Sequence, residues 1–361
     1  MVTPADYMNS ALFHAARGRG RTSPNPTVGA VVVSPDGSVV GYGCTEKAGS
    51  RHAEVVALDM AGDRARGGTL YCTLEPCSHV GRTGPCVARI VESGIARVVA
   101  SVGDPNPLVH GQGFAFLTAH GVGVEVGLGA ARARALNQPF FTLVTEHRPF
   151  VILKAAISQD GCMAEAPGAR TQLTSEAANR HAQRIRAEVD AIGVGVGTIL
   201  VDDPLLTARG AYRERPLVRV IFDRTLRTPP GARVLSTPEA GPVMIVTNGA
   251  GAARAEVRRR LEDRGADIEV VEDGTLRSAL RTLGDRQIGS FLLEGGPTLH
   301  QGAWDEGVVD FVRLYVTPHV LGSSGVRLLN GRPFSSAALV ERRVHPLGPD
   351  VLIEGYVHGP H

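Results

Sequence analysis

Aromatic side chains make up only 5% of this chain, and tryptophan occurs once. A surface that stacks on nucleic-acid bases needs exposed rings, so that class of partner is not expected. Lysine and arginine number 38 against 36 acidic residues, a formal net charge of +2. There is no long basic block, which argues against both a phosphate-backbone stripe and a membrane-binding face. Arg258-Arg259-Arg260 stands beside acidic residues and is expected on a solvated helix face. No apolar run reaches the ~18 residues of a spanning helix. The first twenty residues contain Asp6, His14, Arg17 and Arg19 and no apolar h-region, so they read as mature protein. Five cysteines, an odd count, do not look like a disulfide framework. The expectation is a cytoplasmic protein with no nucleic-acid and no membrane partner.

What is present is a chain of 361 residues, 43% of them hydrophobic, which is enough for two cores and two domains. Tyr7 to Arg17 has the pattern of an amphipathic helix. Val28 to Val33 and Val39 to Tyr42 flank Pro35-Asp36-Gly37, a hairpin signal. A helix from His52 to Met60, a strand over Thr69 to Leu74, strands at Ala96 to Ser101 and Val122 to Val126, and a helix from Ala130 to Phe141 follow. Alternating strands and helices predict an α/β sandwich over a mixed sheet. The polar Glu146-His147-Arg148-Pro149 marks the boundary, giving domains 1–147 and 148–361. A second strand–helix series then runs from Phe150 to Ala156, through a helix over Ser175 to Glu188, to strands at Ala191, Leu217, Val243, Ile268, Ser290 and Phe311. It is long enough to fold alone.

The chemistry of the first half rests on His52-Ala53-Glu54, Pro76-Cys77 and Cys86. One His and two Cys suit zinc and leave a fourth tetrahedral position open to water, whose proton the metal makes labile. Glu54, two residues after the first ligand, suits proton transfer between that water and a leaving amine. H-x-E with a later P-C is the signature of zinc-dependent base deaminases, which carry P-C-x-x-C. Here eight residues rather than two separate the cysteines. Pro76 suits a first helical turn, which predicts Cys77 at a helix N-terminus, where thiolate is favoured.

The long inter-cysteine loop, with Pro24-Asn25-Pro26-Thr27, Thr73-Leu74-Glu75-Pro76-Cys77-Ser78-His79 and Asp104-Pro105-Asn106-Pro107, resembles bacterial riboflavin-biosynthesis deaminases. The resemblance implies substrate contacts at Asn25 and His79. A supporting or solvated loop role is the alternative for His79.

In the second half, Gly193-Val194-Gly195-Val196-Gly197-Thr198 lacks the last glycine of a dinucleotide fingerprint and fits a tight strand-to-helix turn equally. Glu294-Gly295-Gly296-Pro297-Thr298-Leu299 follows an apolar strand and opens a helix, where backbone N–H groups can meet phosphate. With Lys154 to Ser158, Thr174-Ser175, Arg186 and the string Gly197 to Arg209 containing Asp202-Asp203-Pro204, this half resembles the dihydrofolate-reductase-like domain of riboflavin-biosynthesis reductases. The two resemblances together cover essentially the whole chain.

The implied fold is a cytidine-deaminase-like sandwich followed by a dihydrofolate-reductase-like α/β domain. The implied activity is zinc-dependent deamination of a diaminopyrimidinone ribosyl phosphate, then NADPH-dependent reduction of its ribose. The resemblance places Ala156, Thr198, Asp202, Gly296, Pro297, Thr298, Leu299, His300, Gln301 and Gly302 at NADPH. It places Arg170, Arg186, Leu206, Arg209 and Glu294 at the substrate. Three positions depart from the family pattern: Arg170 where a small hydroxyl residue is usual, Gln172 for a tryptophan, and Arg224 where Ser is common. Arginine at either place could reach a phosphate or be solvated. The partners implied are small molecules and other copies of the chain in a homo-oligomer. A tRNA or nucleoside deaminase with an appended domain lacks its cues here, P-C-x-x-C and a basic RNA face. A sensing or oligomerisation module in the second half is disfavoured by Asp202-Asp203-Pro204 and by Gly295-Gly296.

Overall fold

The computed structural model describes residues 2–78, 84–107, 109–329 and 334–360. The chain divides into two compact units, one ending at Glu146 and the other running from His147 to Gly359.

The first unit opens with α1 (Pro4–Ala16), whose Thr3 and Asp6 form a reciprocal capping box. The hairpin β1 (Gly29–Val33) and β2 (Val39–Cys44) comes next, then α2 (Ala53–Ala61), β3 (Thr69–Cys72) and α3 (Cys86–Glu92). β4 (Arg97–Ala100), α4 (Gln112–Ala119), β5 (Gly123–Val126) and α5 (Ala130–Glu146) complete it. The sheet order is β2-β1-β3-β4-β5. β1 is antiparallel to both neighbours, while β3, β4 and β5 are parallel, so the sheet is mixed. Every residue of β1 is buried, as an apolar strand covered on both faces requires. Gly29 is needed there because a Cβ would lie 1.9 Å from the Ala11 carbonyl oxygen of α1. α5 runs through Pro139 and past Phe141 to Glu146; Phe141, Thr142 and Leu143 are buried, and their packing carries the helix beyond the expected end.

The second unit contains β6 (Phe150–Ile157), β7 (Cys162–Ala164), α6 (Glu176–Glu188), β8 (Ala191–Gly195), α7 (Val196–Asp202) and β9 (Val218–Phe222). β10 (Val243–Thr247), α8 (Gly249–Ala252), α9 (Ala255–Glu262), β11 (Ala266–Val270), α10 (Leu276–Asp285), β12 (Ser290–Gly295) and α11 (Pro297–Asp305) follow. β13 (Phe311–Val316), β14 (Val326–Arg327), β15 (Val340–Leu347) and β16 (Asp350–Tyr356) end it. Nine strands form one sheet in the order β11-β10-β9-β8-β12-β6-β13-β16-β15. Its pairings are parallel from β11 to β13 and antiparallel in the C-terminal hairpin. The period-two alternation of strands shows in β6. Val151, Leu153 and Ala155 enter the core on one face, and Phe150 and Ile152 enter the core on the other.

Arg148, expected at the polar join, is buried within this unit. Its guanidinium grips both oxygens of Asp310 at 2.7 Å, and Asp310 also accepts from Val151 N–H at 2.7 Å. Arg258 and Arg259 lie on α9 and pair with Glu262 and Glu256 at the surface, as a solvated face should. Among the described residues, no helix is long and apolar enough to cross a membrane.

Candidate functional site

In the first unit the three soft donors converge. His52 is the residue before α2, in extended backbone, and Glu54 is in the first turn. His52 Nδ1 lies 3.2 Å from Cys86 Sγ and 3.4 Å from Cys77 Sγ, and all three ligand atoms fall within 4.8 Å of one another. Zn–N and Zn–S bonds of about 2.0–2.3 Å at a tetrahedral angle put N and S roughly 3.5 Å apart. The donor set therefore fits zinc in both chemistry and spacing. Three protein ligands leave one tetrahedral position free.

The expectation that Cys77 starts a helix is corrected. Residues 73–78 are irregular, and the helix begins at Cys86, directly after Pro85. The free N–H of Cys86 at that start donates to Cys77 Sγ at 3.4 Å, so one helix terminus serves both sulfurs. Cys77 is placed by a neighbour in its own segment. The buried Glu75 carboxylate accepts from the N–H groups of Asp104, Gly111 and Gly113 at 3.1, 3.0 and 2.9 Å. Gly113 is pressed against the adjacent Pro76, where a Cβ would sit 2.1 Å from the carbonyl oxygen. The Pro24-Asn25-Pro26-Thr27 segment is pinned in turn, since Asn137 accepts from Thr27 N–H at 2.8 Å and donates to its carbonyl at 3.1 Å. Asn25 is half-buried there. His79 lies outside the described residues.

Glu54 is 3% exposed. Burial first, and the Cys77 sulfur second, raise its carboxyl pKa to about 7. The Cys77 thiol is lowered to about 4, first by the hydrogen bond from Cys86 and then, against the opposing cost of burial, by His52. Cys86 is pushed up by its bond to Cys77 and by burial. All five cysteines are free of disulfides.

The second unit holds a cavity of about 660 Å³. Thr198, Asp202, Glu294, Gly296, Pro297, Thr298, Leu299 and Gly302 line it, which brings most of the expected cofactor residues together. Gly295 and Gly296 have φ of +107° and +59°, a region that favours glycine. Gly296 is the residue before α11, and Pro297 is its first residue, so the glycine turn keeps the helix start clear of side chains. Gly195 and Gly197 also line the cavity, whereas Gly193 serves packing, because a Cβ there would lie 2.2 Å from the Phe291 ring.

Other expected residues lie off this wall. Ala156 packs with Tyr315 and Leu352. Gln301 donates to Asp305 at 2.7 Å along α11. His300 is fully buried, and burial lowers its pKa to about 4 against a smaller opposing effect of the Leu293 backbone. Leu206 is buried at a φ of +53°. Arg209 is exposed, its backbone N–H bound to Gln183 at 2.8 Å. Arg170 pairs loosely with Asp202 at 3.9 Å in solvent.

Arg186 forms a bidentate pair with Glu294 at 2.7 Å and donates to the Thr207 carbonyl at 3.0 Å. Lys154 Nζ sits 3.8 Å from Glu294 and over the Tyr315 ring. Burial works to raise the Glu294 pKa, but Arg186 and then Lys154 overcome it and hold the carboxyl near 2. This buried carboxylate stays charged across ordinary pH.

Sequence motifs alone assign no ligand role to Asp223, Arg227, Asn248 or Thr275, all on the cavity wall. The available signal is the position of Asp223-Arg224 directly after the strand β9, where dinucleotide sites place their ribose contacts.

Residues 1–102 match the family described as the cytidine and deoxycytidylate deaminase zinc-binding region. Residues 149–353 match the RibD C-terminal domain. The riboflavin biosynthesis protein RibD of Aquifex aeolicus is 40% identical over 354 residues, covering 96% of this chain and 97% of that protein. That of Escherichia coli is 37% identical over 358 residues, with 96% and 97% covered. Among solved structures, Acinetobacter baumannii RibD aligns with a TM-score of 0.86 at 35% identity over 98% of both chains. The deaminase/reductase of Thermotoga maritima gives 0.84 at 34%, also over 98% of both. The folds are accordingly a cytidine-deaminase-like unit and a dihydrofolate-reductase-like unit. With a zinc-type donor cluster in one unit and a glycine-walled cavity in the other, the chain belongs to the RibD family of bifunctional riboflavin-biosynthesis enzymes, which join a deaminase and a reductase.

Proposed function

We propose that the first unit deaminates 2,5-diamino-6-(5-phosphoribosylamino)pyrimidin-4(3H)-one and that the second reduces the ribose of the resulting 5-amino-6-(5-phosphoribosylamino)uracil. The observation that carries the first half is the convergence of His52, Cys77 and Cys86 beside the buried Glu54. These three residues would hold zinc, which supplies Lewis acidity toward water when bound. Glu54, buried beside the donor cluster in the first turn of α2, takes and returns the proton. Burial keeps bulk water from competing for that proton.

In the second unit the cavity at Gly296 would hold NADPH, the source of hydride. Thr198, Asp202, Gly296 and the start of α11 at Pro297, Thr298 and Leu299, with Gly302, position it. Asp202 is an acceptor for a cofactor hydroxyl or amide, not a phosphate ligand. Glu294, kept charged by Arg186 and Lys154, offers the substrate's hydroxyls a fixed acceptor. Arg186 acts through Glu294, and the exposed Arg209 is the cation open to the substrate phosphate. Asn25, His79, Arg170 and Leu206 complete the proposed substrate set.

We place the domain boundary between His147 and Arg148, giving domains of residues 1–147 and 148–361. The reading includes a homo-oligomer in the cytoplasm, which sedimentation and cell fractionation check.

The deciding experiment offers the purified protein the diaminopyrimidinone phosphate with and without NADPH and identifies products by mass. Deamination alone is expected without NADPH, and deamination plus a two-hydrogen gain with it. Cys86→Ala is expected to lose zinc by elemental analysis and to release no ammonia. Unchanged zinc in that variant removes Cys86 from the site.

A further inference from the structure

Of the 38 basic residues in this chain only two are lysines, Lys47 and Lys154, and the rest are arginines. Lys47 is exposed between β2 and α2. Lys154 is half-buried on β6, beside the pair of Arg186 and Glu294. Its Nζ lies 3.8 Å from a Glu294 oxygen, beyond hydrogen-bond reach, and none of its N–H groups has a hydrogen-bond partner among the described residues. What stands under the ammonium is a ring. Tyr315 lies on β13, the strand next to β6, and its ring centroid is 5.6 Å from Nζ, within cation–π range. Tyr315 is fully buried and packs with Ala156, Ala178 and Leu352. Its hydroxyl is 2.9 Å from Nδ1 of His181 on α6, and the two rings meet edge to face. Burial raises the pKa of the phenol and lowers that of the imidazole, so at neutral pH the bond joins two uncharged groups.

His181, Tyr315, Lys154 and Glu294 therefore form a chain of contacts from α6 to the cavity, whose wall includes Glu294. α6 holds the same carboxylate a second time through Arg186. The two cations differ in what they need. A guanidinium is a planar fork that fits both carboxylate oxygens and is fixed by that fit. An ammonium is a point charge on a flexible stem, and a contact of 3.8 Å does not fix its direction. A ring face supplies the missing constraint, because it attracts the cation without occupying its N–H donors. The ring does so only while it keeps its own place, and the bond to His181 ties its far end to α6.

We propose that Tyr315, tethered by His181, is a positioning residue for the reduction: its ring face holds the Lys154 ammonium against Glu294, and this fixes the carboxylate that the substrate meets. His181 acts only through Tyr315. The inference rests on the reading that Glu294 faces the substrate in this cavity.

The scarcity of lysine makes the test direct. Full-length protein grown on isotope-labelled lysine gives two side-chain signals by NMR, one for Lys47 and one for Lys154. The Lys154 signal is expected to be displaced by the Tyr315 ring current, and in Tyr315→Leu it moves to the position of Lys47. In the same variant kcat for reduction of an already deaminated substrate falls about tenfold, the scale of a partly desolvated cation–π contact, while NADPH affinity and ammonia release are unchanged. Tyr315→Phe keeps the ring and loses the tether: the signal stays displaced and kcat falls about threefold, the worth of one neutral hydrogen bond. His181→Leu removes the same bond, so it matches Tyr315→Phe, and the double variant Tyr315→Phe/His181→Leu is no worse than either. An undisplaced Lys154 signal in the wild type, or wild-type kcat in Tyr315→Leu, overturns the proposal, and additive losses in the double variant overturn the part given to His181. Should Tyr315→Leu fold poorly, Tyr315→Phe and His181→Leu carry the test, since one keeps the core volume and the other changes a half-buried helix position. A wild type that reduces nothing overturns the reductase reading itself, an outcome distinct from undiminished turnover in the variants.

Discussion

The zinc-type cluster takes its donors from between residues 52 and 86, whereas the cavity of the second unit takes its walls from residues 163 to 326. The cluster is made of side-chain atoms whose element matters. Zinc accepts only a few side-chain donors, thiolate, imidazole and carboxylate, so the residue types announce themselves. The cavity is lined by side chains of many kinds and, at Gly195, Gly197, Gly296 and Gly302, by bare backbone. Many sequences could build such a wall. A metal site is thus specified by composition at a few positions, and a dinucleotide site by the shape that several distant segments leave between them.

If the two sites are as different as this, perturbing one should spare the other. Glu54→Gln is expected to keep zinc and to lower ammonia release by about 10²–10⁴, the usual worth of a positioned proton carrier. Reduction of an already deaminated substrate should persist. Wild-type ammonia release in this variant would end the role assigned to Glu54.

The second unit has its own point of failure in the buried pair of Arg148 and Asp310. Arg148→Ala leaves the buried Asp310 without its ion-pair partner and with only the Val151 N–H to accept from, at a cost of about 3–5 kcal/mol. Thermal unfolding should show the loss in the reductase unit, while zinc content and ammonia release below that transition stay unchanged.

pH offers a subtler handle on the same unit. His300 is fully buried and its pKa is lowered by burial from 6.5 to about 4. Between those values the unfolded chain binds a proton that the folded chain does not. Stability is therefore full above about pH 6.5 and declines as pH falls toward 4. The decline amounts to about 3 kcal/mol at 1.36 kcal/mol per pKa unit. Glu294, held near 2, acts in a lower window: its contribution is lost below about pH 4.5 as its folded pKa is approached. Chemical denaturation at pH 7 and pH 5 should show a shallower loss in His300→Gln. Equal slopes in variant and wild type would mean that another group dominates.

Gly296→Val brings the comparison to the cavity wall itself. At φ +59° a Cβ would sit 3.4 Å from Thr198 Oγ1, and a β-branched residue is strained in that region by about 1–3 kcal/mol. NADPH affinity should drop about tenfold or more by fluorescence titration, with zinc retained. Undiminished affinity would place the cofactor elsewhere.

The same contrast governs which elements are legible in the sequence. β1, β3, β6, β8, β10 and β12 are apolar runs covered on both faces, and such runs stand out. The C-terminal strand β15 gives no such signal, because its residues from Val340 to Pro346 are exposed and carry no apolar face. β7 and β14 are too short to show a period. The helix start expected at Cys77 belongs to Cys86, because Pro76 and Pro85 are equivalent as local signals. What separates them is Glu75, which binds three backbone N–H groups from residues 104 to 113 and holds the Pro76 segment out of helical form.

Residue type and spacing within single segments are enough to specify the zinc-type donor set, the carboxylate of Glu54 beside it, the two-unit organisation and the glycine turn before α11. Other features exist only once the chain is folded: Arg186 is spent on Glu294, Arg148 becomes a core residue, and Arg224 and Arg227 stand together on a cavity wall. Those outcomes turn on which carboxylate comes within about 3 Å of which guanidinium, and partners more than a hundred residues apart, as Arg186 and Glu294 are, are joined only when the sheet is assembled.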